Sequence, residues 1–274
     1  MTQTTAAEGA EVLYEVSDHI ATITLNRPER MNTISRAMLG QLTEHLLAAD
    51  ADPDVRVVVL TGTGRAFCAG LDLSEAVRPP EPGREGISNS TTVATNLDLR
   101  NTPPTVLFNM GKPTICALNG SAAGYGMDTA LGCDIRIMAA GAKMAAAFTK
   151  RGIVPESGGT WFLPRLIGWS KAAELIFTGR TLSAEECVEW GLASRVVPTN
   201  ELAATAREIA TEIASNAPLA VQASKRMMRM GLSETFNDHV HHVFLQLLPL
   251  MRSEDAKEGM RSFMEKRDPV FKGR

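Results

Sequence analysis

The chain has 274 residues, 44% hydrophobic and 22% charged, with a formal net charge of −3. That length can bury a sizeable core without disulfide or metal staples. The balance excludes a global basic field for nucleic acid, and no apolar run approaches the roughly 20 residues of a membrane helix.

Residues 1–10 lack a basic n-region and an apolar h-region, so no secretory leader is expected and the segment is predicted to be a frayed tail. Residues 11–17 and 19–25 alternate apolar and polar around Ser17-Asp18, a hairpin signal ended by Asn26-Arg27-Pro28. Ser35 then caps a predicted helix carrying Met38, Leu39, Leu42 and Leu46 at helical spacing. Val55–Leu60 is a nearly all-apolar strand of the kind buried on both faces. Residues 74–92, rich in Pro, Gly, Ser and charge, predict a mobile loop. A helical pattern covers 93–110, interrupted at Pro103-Pro104, and Thr114–Leu118 and Cys133–Met138 are further strands. Helices are predicted over 159–168, 170–177, 183–190, 200–215, 218–231 and 233–266. The organisation expected is a tail (1–10), an α/β core (11–198) and a helical region for oligomerisation (199–274). Cys68, Cys116, Cys133 and Cys187 form no CxxC pair and lie in apolar surroundings, which predicts reduced core thiols of a cytoplasmic protein.

Three stretches carry chemistry. Gly64–Leu73, after the first buried strand, includes Ala69, Gly70, Leu71 and Asp72; its small residues let a ligand approach the backbone. Asn119–Asp128 follows the second buried strand and opens a helix, whose first amides are unpaired. Two such strand-end amides suit a developing oxyanion. Asp128, in apolar helical surroundings, is either a functional acid or a buried partner of a neighbouring loop. In Arg151–Thr160, Glu156 either complements a helix dipole or supplies a second carboxylate to the same pocket. His239 and His242 have an i,i+3 spacing but no HExxH accompanies them, so no metal site is expected. No GxGxxG or GxSxG signature is present.

Together these stretches resemble the crotonase (enoyl-CoA hydratase/isomerase) superfamily from about Glu11 to Lys272. The pieces are Asn26-Arg27-Pro28 with Met31-Asn32-Thr33, Phe67–Leu73, Lys112-Pro113 with Asn119-Gly120, and Gly124–Ile135. Gly152-Ile153-Val154-Pro155, Phe177–Arg180, Ala184-Glu185-Glu186 and Gly191-Leu192-Ala193 follow in order. The resemblance implies an α/β fold, a spiral of ββα units with a helical C-terminal trimerisation region, in homotrimers or dimers of trimers. It implies an acyl-CoA thioester as substrate, as in fatty acid metabolism, and no separate cofactor. It places the oxyanion hole at the amides of Leu71 and Tyr125, where a typical hydratase has glycine in the second place. Ala69, Gly70, Asp72, Gly124 and Phe148 fall among the substrate-binding positions.

Typical hydratases carry two glutamates. Asp128 falls at the first position and Phe148, which transfers no proton, at the second. Glu156 falls where family isomerases place a catalytic carboxylate. The dienoyl isomerases use acids at the Asp128 and Glu156 positions but also keep one where Phe148 stands. The pair Asp128 and Glu156 is thus the expected acid–base set. Hydration, double-bond isomerisation and C–C hydrolysis stay open as reactions, with a non-catalytic acyl-CoA binder as the alternative of another class.

Overall fold

The computed structural model describes residues 3–4, 9–72, 74 and 101–274. Strands β2 (Val12–Ser17) and β3 (Ile20–Leu25) form the expected antiparallel hairpin. Its turn is Asp18-His19, both at positive φ (48° and 65°), the two-residue geometry whose twist matches the flanking strands. In the segment expected to fray, Gln3–Thr4 (β1) pairs with Glu15 and Val16.

Ser35 caps α1 (Arg36–Ala51): its hydroxyl accepts from the Met38 amide at 3.0 Å. Met38, Leu42, Leu46 and Ala49 form its buried stripe. Gly40 lies on the exposed face, where an added Cβ meets nothing within 4 Å. Gly40→Ala is expected to raise stability by about 0.5–1 kcal/mol, since it removes unfolded-state freedom without a clash. A higher midpoint in urea denaturation checks this.

From here a pattern repeats. Strands β4 (Val57–Gly62) and β5 (Ala66–Cys68) precede α2 (Pro103–Asn109). Strands β6 (Thr114–Leu118) and β7 (Ser121–Ala123) precede α3 (Tyr125–Gly132), and β8 (Ile135–Ala139) and β9 (Lys143–Ala145) precede α4 (Gly159–Ile167). Helix α5 (Trp169–Thr178), β10 (Thr181–Ser183), α6 (Ala184–Trp190), β11 (Arg195–Val197) and α7 (Leu202–Ala214) follow. The first strand of each pair enters one sheet, ordered β1-β2-β3-β4-β6-β8-β11; the second enters another, ordered β10-β9-β7-β5. Strand neighbours from β3 to β11 in the first sheet, and from β9 to β5 in the second, are parallel. This winding is the spiral that the resemblance implied.

The large sheet is covered on both faces, which is why Val57–Leu60 reads as a continuous apolar run. One face joins the main core with α1, α2 and α3. Against the other, α7 lays Ala206, Ala210 and Ala214 over Val57, Val59, Ile115 and Ile137. All four cysteines are free and buried.

Pro103 and Pro104, expected as a break in a helical pattern, start α2, in the turn where no amide donor is needed. The helical pattern predicted for 93–100 and the loop expected over 74–92 fall outside the described residues, Ser74 excepted. After α8 (Pro218–Met230), the single helix expected over 233–266 is two, α9 (Phe236–Leu250) and α10 (Glu254–Glu265). Pro249 weakens the end of α9, and Ser253 caps α10 by accepting from the Ala256 amide at 3.0 Å. No residue of α9 is buried, and Phe236 is 80% exposed. His239 and His242 each bring Nδ1 to the Glu234 carboxylate, at 3.1 and 3.0 Å.

Candidate active site

Two loops converge beyond the ends of β5 and β7. After β5, Ile34 bridges Leu71: the Ile34 amide donates to the Gly70 carbonyl at 2.8 Å, and the Asp72 amide donates to the Ile34 carbonyl at 2.9 Å. Backbone alternation turns the Leu71 N–H to the opposite side, where it has no partner among the described residues. After β7, Gly124 adopts φ 53° and ψ −124°, a conformation that only glycine takes without strain. Its amide donates to the Ala145 carbonyl at 3.0 Å. Tyr125 then begins α3, so its N–H is one of the helix's orphan donors.

The loops touch. A Cβ on Gly70 would lie 3.1 Å from the Ala123 carbonyl oxygen and 3.9 Å from the Tyr125 nitrogen. Leu71 and Tyr125 flank one small cavity of about 70 Å³, lined also by Ala69, Gly70, Gly124, Phe148 and Glu156. Two unpaired amides at one cavity are the donor set that an oxyanion requires. The Tyr125 residue is buried in the wall. Its hydroxyl is buried without a hydrogen-bond partner among the described residues. Burial, reinforced by nearby Glu156, raises the phenol well above its ordinary pKa.

Tyr125 and Glu156 also line a second cavity of about 380 Å³, walled by Pro104, Phe108, Trp161 and Phe162. Glu156 is the one carboxylate lining either cavity among the described residues, and it is solvent-exposed. Phe148, buried, presents an apolar wall to the smaller cavity.

Asp128 lies one layer back and lines neither cavity. Its Oδ2 accepts from the Ser157 hydroxyl at 2.7 Å and the Gly159 amide at 3.1 Å; its buried Oδ1 has no partner among the described residues. These bonds tie the segment just after Glu156 to α3. Gly159 is essential to the fit, because a Cβ there would fall 2.4 Å from Oδ1. Burial pushes the Asp128 carboxyl up to about 7, against the pull of the Ser157 and Gly159 bonds. The folded state thus holds this proton more tightly than the unfolded chain, whose carboxyl titrates near its ordinary 3.8. The stability it contributes is complete below that value and is lost as pH rises through about 7. Asp128→Asn keeps an acceptor for both donors and carries no charge. Denaturation across a pH series is expected to show wild type losing roughly 1–3 kcal/mol more than the variant between pH 5 and pH 8.

Asp72, expected at the substrate, is committed to other partners. Its carboxylate pairs with Arg27 at 3.2 Å and accepts from Ser74, and it lines neither cavity. The basic partner had no signal in sequence, since Arg27 reaches it only through the Ile34 bridge.

Two asparagines prove more important than their motif letters suggest. Asn32, buried at φ 53°, accepts from the Arg27 amide at 2.8 Å and donates to the carbonyls of Thr63 (2.9 Å) and Ala66 (2.8 Å). Asn119 accepts from the Gly62 amide at 3.1 Å and donates to the carbonyls of Gly64 (3.0 Å) and Ala66 (3.2 Å). Together they pin the turn that feeds β5 and Leu71. The available signal was asparagine beside a glycine-rich turn, a residue type that tolerates positive φ and satisfies turn backbone.

Comparison with known proteins shows the family. The family model for enoyl-CoA hydratase/isomerase matches residues 15–274. The 1,2-epoxyphenylacetyl-CoA isomerase of Escherichia coli (strain K12) is 37% identical over 263 residues, covering 96% of this chain and 98% of that protein. The (E)-benzylidenesuccinyl-CoA hydratase of Thauera aromatica is 39% identical over 264 residues, covering 96% and 99%. A crystal structure of enoyl-CoA hydratase from Bacillus anthracis, 35% identical, aligns over 100% of this chain and 99% of its own with a TM-score of 0.84.

Proposed function

This chain belongs to the enoyl-CoA hydratase/isomerase family, and from that premise we propose that it shifts the double bond of an enoyl-CoA thioester, with Glu156 as proton carrier and the amides of Leu71 and Tyr125 as oxyanion hole. The enzymes of this family process acyl-CoA substrates, which sets aside the non-catalytic alternative. The observation that carries the reading is that Glu156 alone among the described carboxylates lines the cavities at the two orphan amides.

The scheme balances with one acid. With the thioester carbonyl oxygen between the two amides, the Glu156 carboxylate takes a proton from C2 of a 3-enoyl thioester. The electron pair delocalises into a dienolate whose oxygen accepts from Leu71 and Tyr125. Protonated Glu156 returns the proton to C4, and the double bond comes to lie between C2 and C3, conjugated with the carbonyl. Asp128 holds the Glu156 loop in register through Ser157 and Gly159. Hydration and C–C hydrolysis each need an activated water as well, and Phe148 occupies the position from which a second acid would manage it. No cofactor beyond the thioester enters the scheme.

A homotrimer or a dimer of trimers accounts for the apolar faces of α9 and α10, where Phe244, Leu247, Phe263 and Met264 are exposed in the single chain. Among the described residues no helix is long and apolar enough to cross a membrane. Four buried free thiols support a reducing, cytoplasmic setting.

Turnover of a 3-enoyl-CoA against a trans-2-enoyl-CoA tests the reaction. Formation of the conjugated thioester is expected to outpace hydration; hydration as the faster reaction would reassign the enzyme as a hydratase.

A further inference from the structure

We infer that the acyl group carries an aromatic ring, seated in the cavity walled by Phe108, Trp161 and Phe162. The inference rests on the reading of Glu156 as the base, because that residue joins the two cavities. An acyl chain anchored between Leu71 and Tyr125 runs past Glu156 and enters a space of about 380 Å³, within the range of small-molecule sites.

The walls define what fits. Phe108 meets Trp161 with centroids 5.0 Å apart at 70°, and Phe162 at 5.6 Å and 67°. Trp161 meets Phe162 at 5.3 Å and 89°. Three mutually edge-to-face rings offer both ring faces and ring edges to an occupant. A further aromatic ring complements those quadrupoles; an alkyl chain does not. Of the polar groups in the wall, the Thr102 and Thr105 hydroxyls lie 2.9 Å apart and the Ser157 hydroxyl donates to Asp128, while the Tyr125 hydroxyl is buried without a partner among the described residues.

The rings are also held in place. The Arg229 guanidinium sits 4.8 Å from the Phe108 centroid, and the Arg165 guanidinium 4.1 Å from that of Trp161. Arg229 itself donates to the carbonyls of Leu107 and Met110 and pairs with Asp134. Gly158 admits Phe162 against the Glu156 loop, since a Cβ there would lie 2.8 Å from the ring. A preorganised flat-walled slot favours a rigid planar group, which loses few rotamers on binding, over a flexible chain.

Binding of two saturated, unreactive probes tests this: phenylacetyl-CoA and hexanoyl-CoA, an alkyl thioester of comparable apolar surface. Phenylacetyl-CoA is expected to bind about tenfold tighter, with a change in tryptophan fluorescence that hexanoyl-CoA does not produce. Trp161→Leu and, separately, Phe108→Leu are expected to reduce that preference to about twofold or less. Hexanoyl-CoA binding as tightly as phenylacetyl-CoA overturns the inference, as does a preference that survives both substitutions. But-3-enoyl-CoA, too short to reach the aromatic cavity, separates the two readings. If it is isomerised in a Glu156-dependent way while the aryl preference is missing, only the aryl inference falls. If the preference holds and no enoyl thioester is isomerised, the proposed reaction falls instead.

Discussion

Glu156→Gln is expected to lower kcat on a 3-enoyl-CoA by about 10²–10⁴-fold, the usual worth of a positioned acid–base group, with little change in the affinity for a saturated acyl-CoA. Glutamine keeps the size and the hydrogen-bonding reach of the side chain and removes only its capacity to carry a proton. No other described carboxylate lines the cavity wall to replace it. Asp128, the nearest alternative, has one oxygen committed to Ser157 and Gly159 and the other enclosed in protein. The two acids are thus separable by the form of their defects. Loss of Glu156 removes a transition-state interaction and appears in kcat. Loss of the Asp128 side chain lets the 156–159 loop shift, so it is expected to weaken kcat less and to lower thermal stability as well. Residual turnover by Glu156→Gln is expected from the two amides alone, because oxyanion stabilisation is independent of the base. Full activity of Glu156→Gln on every thioester tried would refute the assignment.

What the sequence made legible follows from how local each signal is. The hairpin at 11–25, the Ser35 cap and the apolar run at Val57–Leu60 rest on periodicity and capping within a few residues, and each is found near its predicted bounds. The split at Ser253 was missed because a serine inside an amphipathic run reads as a surface residue until its hydroxyl is seen accepting from Ala256. The two loops at the small cavity were legible as glycine-rich strand ends, but their contact at Gly70 and Ala123 depends on β5 and β7 being neighbours in a separate sheet. Asp128 and Glu156 were both legible as acids in unusual surroundings. Which one faces the cavity depends on bonds across 29 and 31 residues, to Ser157 and Gly159. The aromatic cavity was least legible, since Phe108 belongs to α2 while Trp161 and Phe162 belong to α4, and only the fold joins them.

Gly126→Ala is expected to damage catalysis and stability together, through a single contact. Gly126 is the second residue of α3, directly after the Tyr125 amide. A Cβ there would lie 2.3 Å from the Cys68 carbonyl oxygen and 2.7 Å from the Cys68 Cβ and Sγ. The shortest of these contacts is to backbone of β5, which is paired into its sheet and leads straight to Gly70 and Leu71, so it cannot yield as a flexible side-chain tip would. The start of α3 must move away instead, and this separates the Tyr125 N–H from the Leu71 N–H. An oxyanion needs both donors within about 2.7–3.1 Å, and losing one costs about 10²–10³-fold in kcat. Overpacking of this kind costs about 1–3 kcal/mol in stability. Gly141→Ala supplies the control. Gly141 lies between β8 and β9 with φ 84° and open space around its Cβ position, so alanine there brings about 1–2 kcal/mol of left-handed strain far from the two amides. The two variants are expected to lose comparable stability in urea denaturation while only Gly126→Ala loses kcat. Equal losses of kcat would mean that the packing of Gly126 on Cys68 protects the fold in general and not the spacing of the two amides.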